Sequence, residues 1–157
     1  MGAEIERKFL VTGDAWRESE ATYYCQGYLN RDPNRTVRVR IAGDQAFLTI
    51  KSITTNMTRK EYEYSIPLED AKEMLELCER PLIAKYRRLV EFKGMTWEVD
   101  EFLDENEGLV VAEIELESET QEFELPEWTG KEVTDDHRYF NSRLSITPYK
   151  SWPPEQA

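Results

Sequence analysis

Apolar and polar side chains alternate along most of this 157-residue chain, and an alternation with a period of two is typical of β-strands. The alternating segments are separated by breaks such as Asp32-Pro33-Asn34 and Ala42-Gly43-Asp44, whose residues favour turns. Because several breaks are short enough for hairpins, antiparallel pairing is expected. The predicted strands span 3–11, 21–30, 36–42, 45–52, 58–66, 84–92, 95–102 and 109–117.

Three further segments carry helix signals. The first places Leu68 and Leu75 on one apolar stripe behind Pro67, and the other two begin with capping sequences. The predicted helices span 68–78, 118–125 and 134–144. Residues 148–157 contain three prolines and are expected to be loosely ordered, so the predicted domain spans 1–147.

The polar positions of the predicted strands are mostly ionisable, and residues of like charge are grouped. Glu4, Glu6 and Lys8 share one face of the first strand, because successive side chains of a strand point to opposite faces. Like charges two residues apart repel each other, so an ordinary solvated face gives no reason for them. Similar sets recur at Arg38 and Arg40, at Lys51, at Arg59 with Glu61 and Glu63, at Lys85 and Arg87, at Glu98 and Asp100, and at Glu113 and Glu115.

An even number of antiparallel strands with one charged face favours a closed barrel with the charges in its lumen. The apolar face would then point outward and be covered by the helices, or by a second subunit, so a monomer and a homodimer are both compatible with the pattern. The predicted fold is α+β and mainly β, an eight-stranded antiparallel closed barrel with about three flanking helices.

Such a lumen combines two kinds of binding group. Clustered Lys and Arg side chains bind polyanions, and convergent carboxylates bind hard divalent cations such as Mg²⁺ or Mn²⁺. A small-molecule polyphosphate bound together with a metal ion satisfies both groups. The combination also suits phosphoryl transfer, in which positioning and charge neutralisation supply most of the catalysis.

The overall charge restricts the partners. The chain has 32 acidic and 20 basic residues and a net charge of −12, so its surface should repel nucleic acid and anionic membranes. Cys25 and Cys78 fit no metal-binding spacing and are predicted to be buried thiols. Neither a signal peptide nor a long apolar run is recognisable, so a cytoplasmic location is expected.

The ordered set of motifs resembles the CYTH superfamily, the triphosphate tunnel metalloenzymes, and in particular its short bacterial branch. The first motif is Glu4-Ile5-Glu6-Arg7-Lys8, and the resemblance covers about nine-tenths of the chain. The other matching segments are Gln26-Gly27-Tyr28-Leu29, Arg38-Val39-Arg40, Leu48-Thr49-Ile50-Lys51, Arg59-Lys60-Glu61-Tyr62-Glu63, Lys85-Tyr86-Arg87, Glu98-Val99-Asp100, Glu113-Ile114-Glu115 and Val133-Thr134-Asp135-Asp136-His137-Arg138-Tyr139.

The resemblance implies a role for each charged set. The implied metal ligands are Glu4, Glu6, Glu61, Glu63, Asp100, Glu113 and Glu115. The implied phosphate-binding residues are Lys8, Arg38, Arg40, Lys51, Arg59, Lys85 and Arg87. Lys8, Glu63 and Lys85 are the expected catalytic residues, with Glu63 or Glu61 as the carboxylate that orients the attacking water.

The expected activity is metal-dependent hydrolysis of inorganic tripolyphosphate to pyrophosphate and phosphate. Three alternatives remain: a class IV-type adenylyl cyclase, a nucleoside or thiamine triphosphatase, and a non-catalytic polyphosphate-binding module. No adenine pocket is recognisable in the sequence, which disfavours a cyclase. The many paired carboxylates favour an enzyme over a binding module, because binding a polyanion alone does not require them.

Overall fold

The strands of the computed structural model, which describes residues 2–55 and 57–153, form a single sheet. Eight of them close into an antiparallel barrel in the order β5-β4-β3-β2-β6-β7-β8-β1, and β1 pairs back with β5. The predicted eight-stranded closed barrel is therefore confirmed. The strands are β1 (Gly2–Val11), β2 (Ala21–Asn30), β3 (Thr36–Ala42), β4 (Gln45–Ile53), β5 (Thr58–Ser65), β6 (Ile83–Phe92), β7 (Met95–Phe102), β8 (Val110–Leu116) and β9 (Thr129–Glu132).

The ninth strand was not predicted. β9 pairs with the end of β1, where Phe9 lies opposite Glu132, while β5 pairs with the start of β1. The two strands thus share one edge of β1, and β8 pairs along the other edge. The segment has only four residues, Thr-Gly-Lys-Glu, and too few apolar positions to show an alternation.

Helix α1 (Leu68–Leu77) confirms the first predicted helix. Its inner face packs on the outside of the barrel, where Ala71 and Leu75 join Val39 in one apolar cluster. Cys25 and Cys78 belong to the same cluster as free thiols, Cys78 buried and Cys25 partly exposed. None of the helices in 2–55 and 57–153 is long and apolar enough to cross a membrane.

The predicted helix at 118–125 is wrong, because this segment forms a turn followed by irregular chain. The side-chain oxygen of Gln121 accepts a hydrogen bond from the backbone N–H of Glu117 at 2.6 Å, which closes the turn instead of capping a helix. Phe123 then packs edge-on against Phe9 and Trp97. This segment therefore covers the outer, apolar face of β1 and β7 as an extended strap.

The predicted helix at 134–144 is also wrong as a single element. It is divided into a 3₁₀ turn, His137–Tyr139, and the short helix α2 (Asn141–Leu144). The Thr134 hydroxyl does not cap a helix, because it accepts the backbone N–H of Lys8 at 3.0 Å and donates to Glu132 at 2.6 Å. Tertiary bonds to β1 and β9 thus replace the local cap that the sequence suggested.

Residues 148–153 are packed, in contrast to the loosely ordered tail predicted for 148–157. Trp152 is 7% exposed and makes edge-on ring contacts with Tyr139 and Tyr149 at 5.2 and 5.1 Å. Its indole N–H donates to the backbone carbonyl of Thr147 at 3.0 Å. The remainder of the predicted tail, 154–157, lies outside the described residues.

The C-terminal segment fills one end of the barrel. Ile83, Phe102 and Val111 cluster there with Leu144 and Trp152. Each of the three strand residues is two positions from a charged residue on the same inward face, because side chains alternate along a strand. These charged neighbours are Lys85, Asp100 and Glu113, so the charged part of the lumen begins directly beyond this apolar end.

Candidate active site

A cavity of about 210 Å³ lies inside the barrel, and most of the side chains that line it are charged. Every predicted site residue lines this cavity except Lys85 and Asp100, which lie behind the lining. The structure therefore brings together side chains from all eight barrel strands, β1–β8, that are far apart in the sequence. The additional lining residues are Tyr28, Thr36, Thr49, Glu98, Asn141 and Ser142.

Strand register concentrates the carboxylates at one side of the cavity. Glu6 of β1 lies directly opposite Glu115 of β8. Glu113 lies opposite Lys8 on one side and opposite Glu98 of β7 on the other. Directly opposed side chains of neighbouring strands are close enough to interact strongly, so the acidic residues crowd one another across β8.

Lys8 is the cation within this acidic group. Its ammonium donates to the Glu6 carboxylate at 2.8 Å and also to Glu113. Burial disfavours the charged lysine, but Glu113 and Glu6 outweigh burial and raise the pKa of Lys8. The pKa of Glu6 is raised by burial and by the charge of Glu113, which exceed the effect of Lys8. Ionised Glu6 is therefore held in an unfavourable environment.

Lys51 neutralises a second part of the acidic side. Its ammonium donates to Glu4 at 2.8 Å and lies 3.6 Å from Glu61. Burial raises the pKa of Glu4, but Lys51 outweighs burial and the net pKa is lowered. The pKa of Glu115, in contrast, is raised by burial and by the charges of Glu4 and Glu6. Negative charge on this side thus exceeds what the lysines compensate.

The carboxylates fit a hard divalent cation in their chemistry. Five of them offer oxygen ligands of the type that Mg²⁺ and Mn²⁺ prefer, and the raised pKa values of Glu6 and Glu115 indicate uncompensated negative charge. In the described ranges, no three acidic, His or Cys side chains already form a metal-binding arrangement. The lysine contacts explain this, because Lys8 and Lys51 bind the oxygens that a metal ion would use. The five are Glu4, Glu6, Glu61, Glu113 and Glu115.

Arginines occupy another part of the lining. Arg38 is 6% exposed, donates to the Thr49 hydroxyl at 3.3 Å and lies 3.6 Å from Glu63. Its Nε is buried, and no described residue accepts a hydrogen bond from it. A buried N–H without an acceptor is energetically costly, so an anion in the cavity would supply the missing acceptor.

Arg40 and Arg59 pack against aromatic rings. Arg40 donates to the Gln26 side-chain oxygen at 2.8 Å, and its guanidinium carbon lies 4.9 Å from the ring centre of Tyr24. The guanidinium carbon of Arg59 lies 4.3 Å from the ring centre of Phe140. Burial, with the charges of Arg38 and Arg87, lowers the pKa of Arg40 to about 9. Positive charge is therefore poorly compensated in this part of the cavity.

Asp100, a predicted metal ligand, contacts two cationic side chains behind the lining. Its two oxygens accept from Lys85 at 2.7 Å and from the guanidinium of Arg87 at 2.7 and 2.8 Å. Burial opposes its ionisation, but Arg87 and Lys85 outweigh burial and lower the pKa of Asp100 to about 2. Burial lowers the pKa of Lys85 to about 7, although Asp100 opposes this. With both oxygens occupied by cations, Asp100 anchors Lys85 and Arg87.

Glu98 and Asn141 are two of the six lining residues that had no predicted site role at the sequence level. Glu98 lines the cavity. Burial raises the pKa of Glu98 to about 7; the charge of Arg87 opposes this shift and the charge of Glu113 adds to it. Its signal was present, because it forms an i, i+2 pair with Asp100. Asn141, which accepts from Lys85 at 3.1 Å, belongs to α2, and no local pattern connects that helix to the barrel interior.

Comparison with known proteins gives consistent matches. The model of the CYTH domain family matches residues 2–146. An inorganic triphosphatase from Acetivibrio thermocellus is 53% identical over 154 residues, which cover 97% of this chain and 99% of that protein. One from Nitrosomonas europaea is 34% identical and covers 92% and 97% of the two chains. A solved crystal structure of an inorganic triphosphatase, 34% identical, superposes with a TM-score of 0.68 over 91% of this chain and 94% of that one.

Proposed function

Because this chain belongs to the CYTH domain family, we propose that it hydrolyses inorganic tripolyphosphate to pyrophosphate and phosphate in the barrel cavity. One observation carries the proposal: the cavity places poorly compensated arginines beside crowded carboxylates, one of which, Glu6, has a raised pKa. A polyphosphate chain and a divalent cation together balance both groups. The two relatives named inorganic triphosphatase support this substrate.

The phosphate groups are assigned to the basic side of the cavity. Arg38, Arg40 and Arg59 bind phosphate oxygens directly, because their N–H donors are the least occupied by carboxylates. Lys8 and Lys51 stand between the carboxylates and the phosphates and contact both. Arg87 reaches the cavity and is held in place by Asp100. Lys85, which lies behind the lining and also binds Asp100, adds positive charge next to Arg87.

The metal ion is assigned to the acidic side, with Mg²⁺ or Mn²⁺ as the cation because every ligand is a carboxylate oxygen. A bound divalent ion neutralises phosphate charge and polarises the phosphoryl oxygens. Glu6 and Glu115 are the central ligands, since they oppose each other across β1 and β8 and have raised pKa values. Glu4, Glu61 and Glu113 complete the set from neighbouring strands.

Glu63 is the proposed residue that orients the attacking water. Its carboxylate accepts the Thr49 hydroxyl at 2.9 Å, and its side chain is 40% exposed, so water reaches it. Glu61 is less suitable, because its side chain is only 28% exposed. Arg38, which lies 3.6 Å from Glu63, and the other arginines stabilise the charge that develops on the transferred phosphoryl group.

Phosphate release from tripolyphosphate, measured with excess Mg²⁺ or Mn²⁺ and again with excess EDTA, tests this function. Release is expected with metal and should stop with chelator, because uncompensated carboxylates would otherwise face the phosphates. Full turnover in EDTA would contradict the assignment of the carboxylates to a metal ion. Tripolyphosphate binding without any release would instead support a non-catalytic binding module.

Substrate choice separates the inorganic triphosphatase from the nucleotide-dependent alternatives. The cavity volume of about 210 Å³ is below the roughly 300–1,000 Å³ of typical ligand pockets, and its lining offers little apolar surface for a base. We expect kcat/KM for tripolyphosphate to exceed that for ATP by at least about tenfold, measured at subsaturating substrate with Mg²⁺ in excess. A higher kcat/KM for ATP would contradict the inorganic substrate, and formation of cyclic AMP would favour the cyclase.

We further propose a single domain that includes residues 148–153 and resides in the cytoplasm. The net charge of −12 supports a partner that is neither nucleic acid nor an anionic membrane. Ile50, Tyr62 and Tyr64 remain 37–52% exposed on the outer face of β4 and β5. Such a patch is compatible with a monomer or a homodimer.

A further inference from the structure

In the part of the chain that the structure describes, Tyr24 and Phe140 each contact a cavity arginine that has no carboxylate within ion-pair distance. We propose that these two rings are positioning residues, which hold Arg40 and Arg59 in place for phosphate binding without occupying their N–H donors. This inference rests on the proposed triphosphatase function. Neither ring lines the cavity. Both rings nevertheless have a role in substrate affinity.

The surroundings of Arg40 support this role. Tyr24 and Gln26 lie on the same inward face of β2. Of the three guanidinium nitrogens of Arg40, Gln26 binds only Nε. The Tyr24 ring centre lies 4.9 Å from the guanidinium carbons of both Arg40 and Arg87. Within 2–55 and 57–153, no carboxylate oxygen lies within 4 Å of a nitrogen of Arg40. The negative face of the ring therefore supplies the closest compensation of the Arg40 charge.

Arg59 is in the same situation at a different strand. It lies opposite Glu4 in the β1–β5 register, but the carboxylate of Glu4 accepts from Lys51. The guanidinium of Arg59 packs instead over Phe140 at 4.3 Å. Phe140 is 2% exposed and its other contacts fix it, since it stacks on His137 with ring centres 4.6 Å apart and donates its N–H to the His137 carbonyl at 3.1 Å.

A ring and a carboxylate have different consequences for an incoming phosphate. A carboxylate accepts N–H donors of the guanidinium and cancels its charge, so a phosphate oxygen must compete with it. An aromatic ring attracts the cation but does not occupy its donors as a carboxylate does. Lys8 and Lys51 have carboxylate partners, although the Lys8 ammonium also lies 5.8 Å from the Phe140 ring centre. Arg40 and Arg59 contact rings without an ion-paired carboxylate in the described part of the chain, so these arginines are the donors ready for phosphate.

The test changes the electrostatics of one ring without changing its shape. Phenylalanine at 140 is replaced by analogues with one, three and five fluorines, which progressively reduce the negative charge of the ring face. KM for tripolyphosphate should rise stepwise along the series, to about tenfold, with a smaller change in kcat. Phe140→Tyr should keep KM near the unsubstituted value. A KM that is independent of fluorination would overturn the proposal, because packing alone does not depend on ring charge.

Tyr24 supplies a second, independent comparison. Tyr24→Phe retains a ring and should keep KM within about twofold, whereas Tyr24→Leu should raise it about tenfold. Equal KM values for both variants would contradict the role of the ring. Phe123 is the matched control, because its ring lies 5.1 Å from the guanidinium of Arg7 outside the cavity. Phe123→Leu should leave KM unchanged, and a rise equal to that of Tyr24→Leu would also contradict the proposal.

Tripolyphosphate binding, measured by calorimetry on the same variants, separates this inference from the proposed function. If the unsubstituted protein binds tripolyphosphate but releases no phosphate, the triphosphatase function fails. A stepwise loss of affinity along the fluorinated series would still support the positioning role in that case. If the unsubstituted protein hydrolyses tripolyphosphate and the series has constant affinity, only the positioning role fails.

Discussion

Replacing Asp100 with Asn is expected to lower the melting temperature by about 10 °C and to reduce kcat/KM for tripolyphosphate at least about 100-fold. Asp100 is 2% exposed and binds two cations, Lys85 and Arg87, with both oxygens. Removing one partner of a buried ion pair costs about 3–5 kcal/mol of folding stability. A change of about 1 kcal/mol shifts the melting temperature by about 2–4 °C in a protein of this size.

The loss of activity follows from the two cations that remain. Without the charge of Asp100, the pKa of Lys85 should fall below its value of about 7, so the ammonium form that is still populated at pH 7 in the unsubstituted protein would be lost. Arg87 would lose its two-pronged hydrogen bond and with it a fixed orientation toward the cavity. Both effects weaken the electrostatic stabilisation of the phosphoryl group, at about 1.4 kcal/mol for each tenfold in rate.

The pH dependence of stability gives a second measure of the same contact. The pKa of Asp100 is lowered to about 2, below the ordinary value of about 3.9. Its stabilising effect is therefore present above pH 4 and is lost as the pH falls toward 2. The difference in melting temperature between the unsubstituted protein and Asp100→Asn should be full at pH 7 and should shrink below pH 4.

Glu101→Gln is the matched control, because this neighbour on β7 points to the outside. It pairs with Arg17 and Arg88 near the surface, where an ion pair contributes at most about 1 kcal/mol. Turnover should be unchanged and the melting temperature should fall by a few degrees at most. If Asp100→Asn instead kept its melting temperature and needed more Mg²⁺ for full activity, Asp100 would be a metal ligand after all.

The barrel and most of its charged lining could be predicted from the sequence because both depend on the same local property. Alternation along a strand is independent of the partner strand, so pairs such as Arg38 and Arg40 identify an inward face before any register is known. Closure then places every inward face around one lumen. The presence of Glu6, Arg59 and Glu113 in one cavity follows from these two facts.

What could not be predicted depends on contacts between distant segments. Alternation places Asp100 inward, but only the register, with Arg87 directly opposite Asp100, decides that both of its oxygens bind Lys85 and Arg87. Asn141 reaches Lys85 because the C-terminal segment folds back into one end of the barrel. Thr134 forms a tertiary bond to the backbone of β1, so a helix cap that is reasonable locally does not form.

Glu6→Gln is expected to have the opposite effect on stability and an even larger effect on turnover than Asp100→Asn. Glu6 lies opposite Glu115 in the register, and its pKa is raised by burial and by the charge of Glu113. Ionised Glu6 is therefore less favourable in the folded state than in the unfolded chain. Glutamine has the same shape, lacks the charge and still accepts the hydrogen bond from Lys8, so the melting temperature at pH 7.5 in EDTA should rise by a few degrees.

The sign of this stability change can be checked by titration. A carboxyl whose folded-state pKa is raised destabilises the protein at pH values above its ordinary pKa of about 4.3, where the unfolded chain is ionised. The advantage of Glu6→Gln should therefore be greatest at neutral pH and disappear as the pH falls below 4. Glu132→Gln is the control on the outside of the barrel, because a hydrogen bond from Arg7 lowers the pKa of Glu132. This control should be slightly less stable and fully active.

Turnover of tripolyphosphate by Glu6→Gln should fall at least about 1,000-fold. The amide contributes no negative charge to the proposed metal site, and several kcal/mol of transition-state stabilisation depend on that site. Near-normal kcat/KM would mean that the acidic side of the cavity takes no part in catalysis. An unchanged or lower melting temperature would mean that Lys8 already compensates the acidic group. Removing the charge of a residue that serves only in a structural ion pair lowers the stability of the protein. Removing the charge of a carboxylate that is kept to bind a cation raises the stability of the cation-free protein. A variant that is both more stable and inactive would therefore assign Glu6 to function and not to folding.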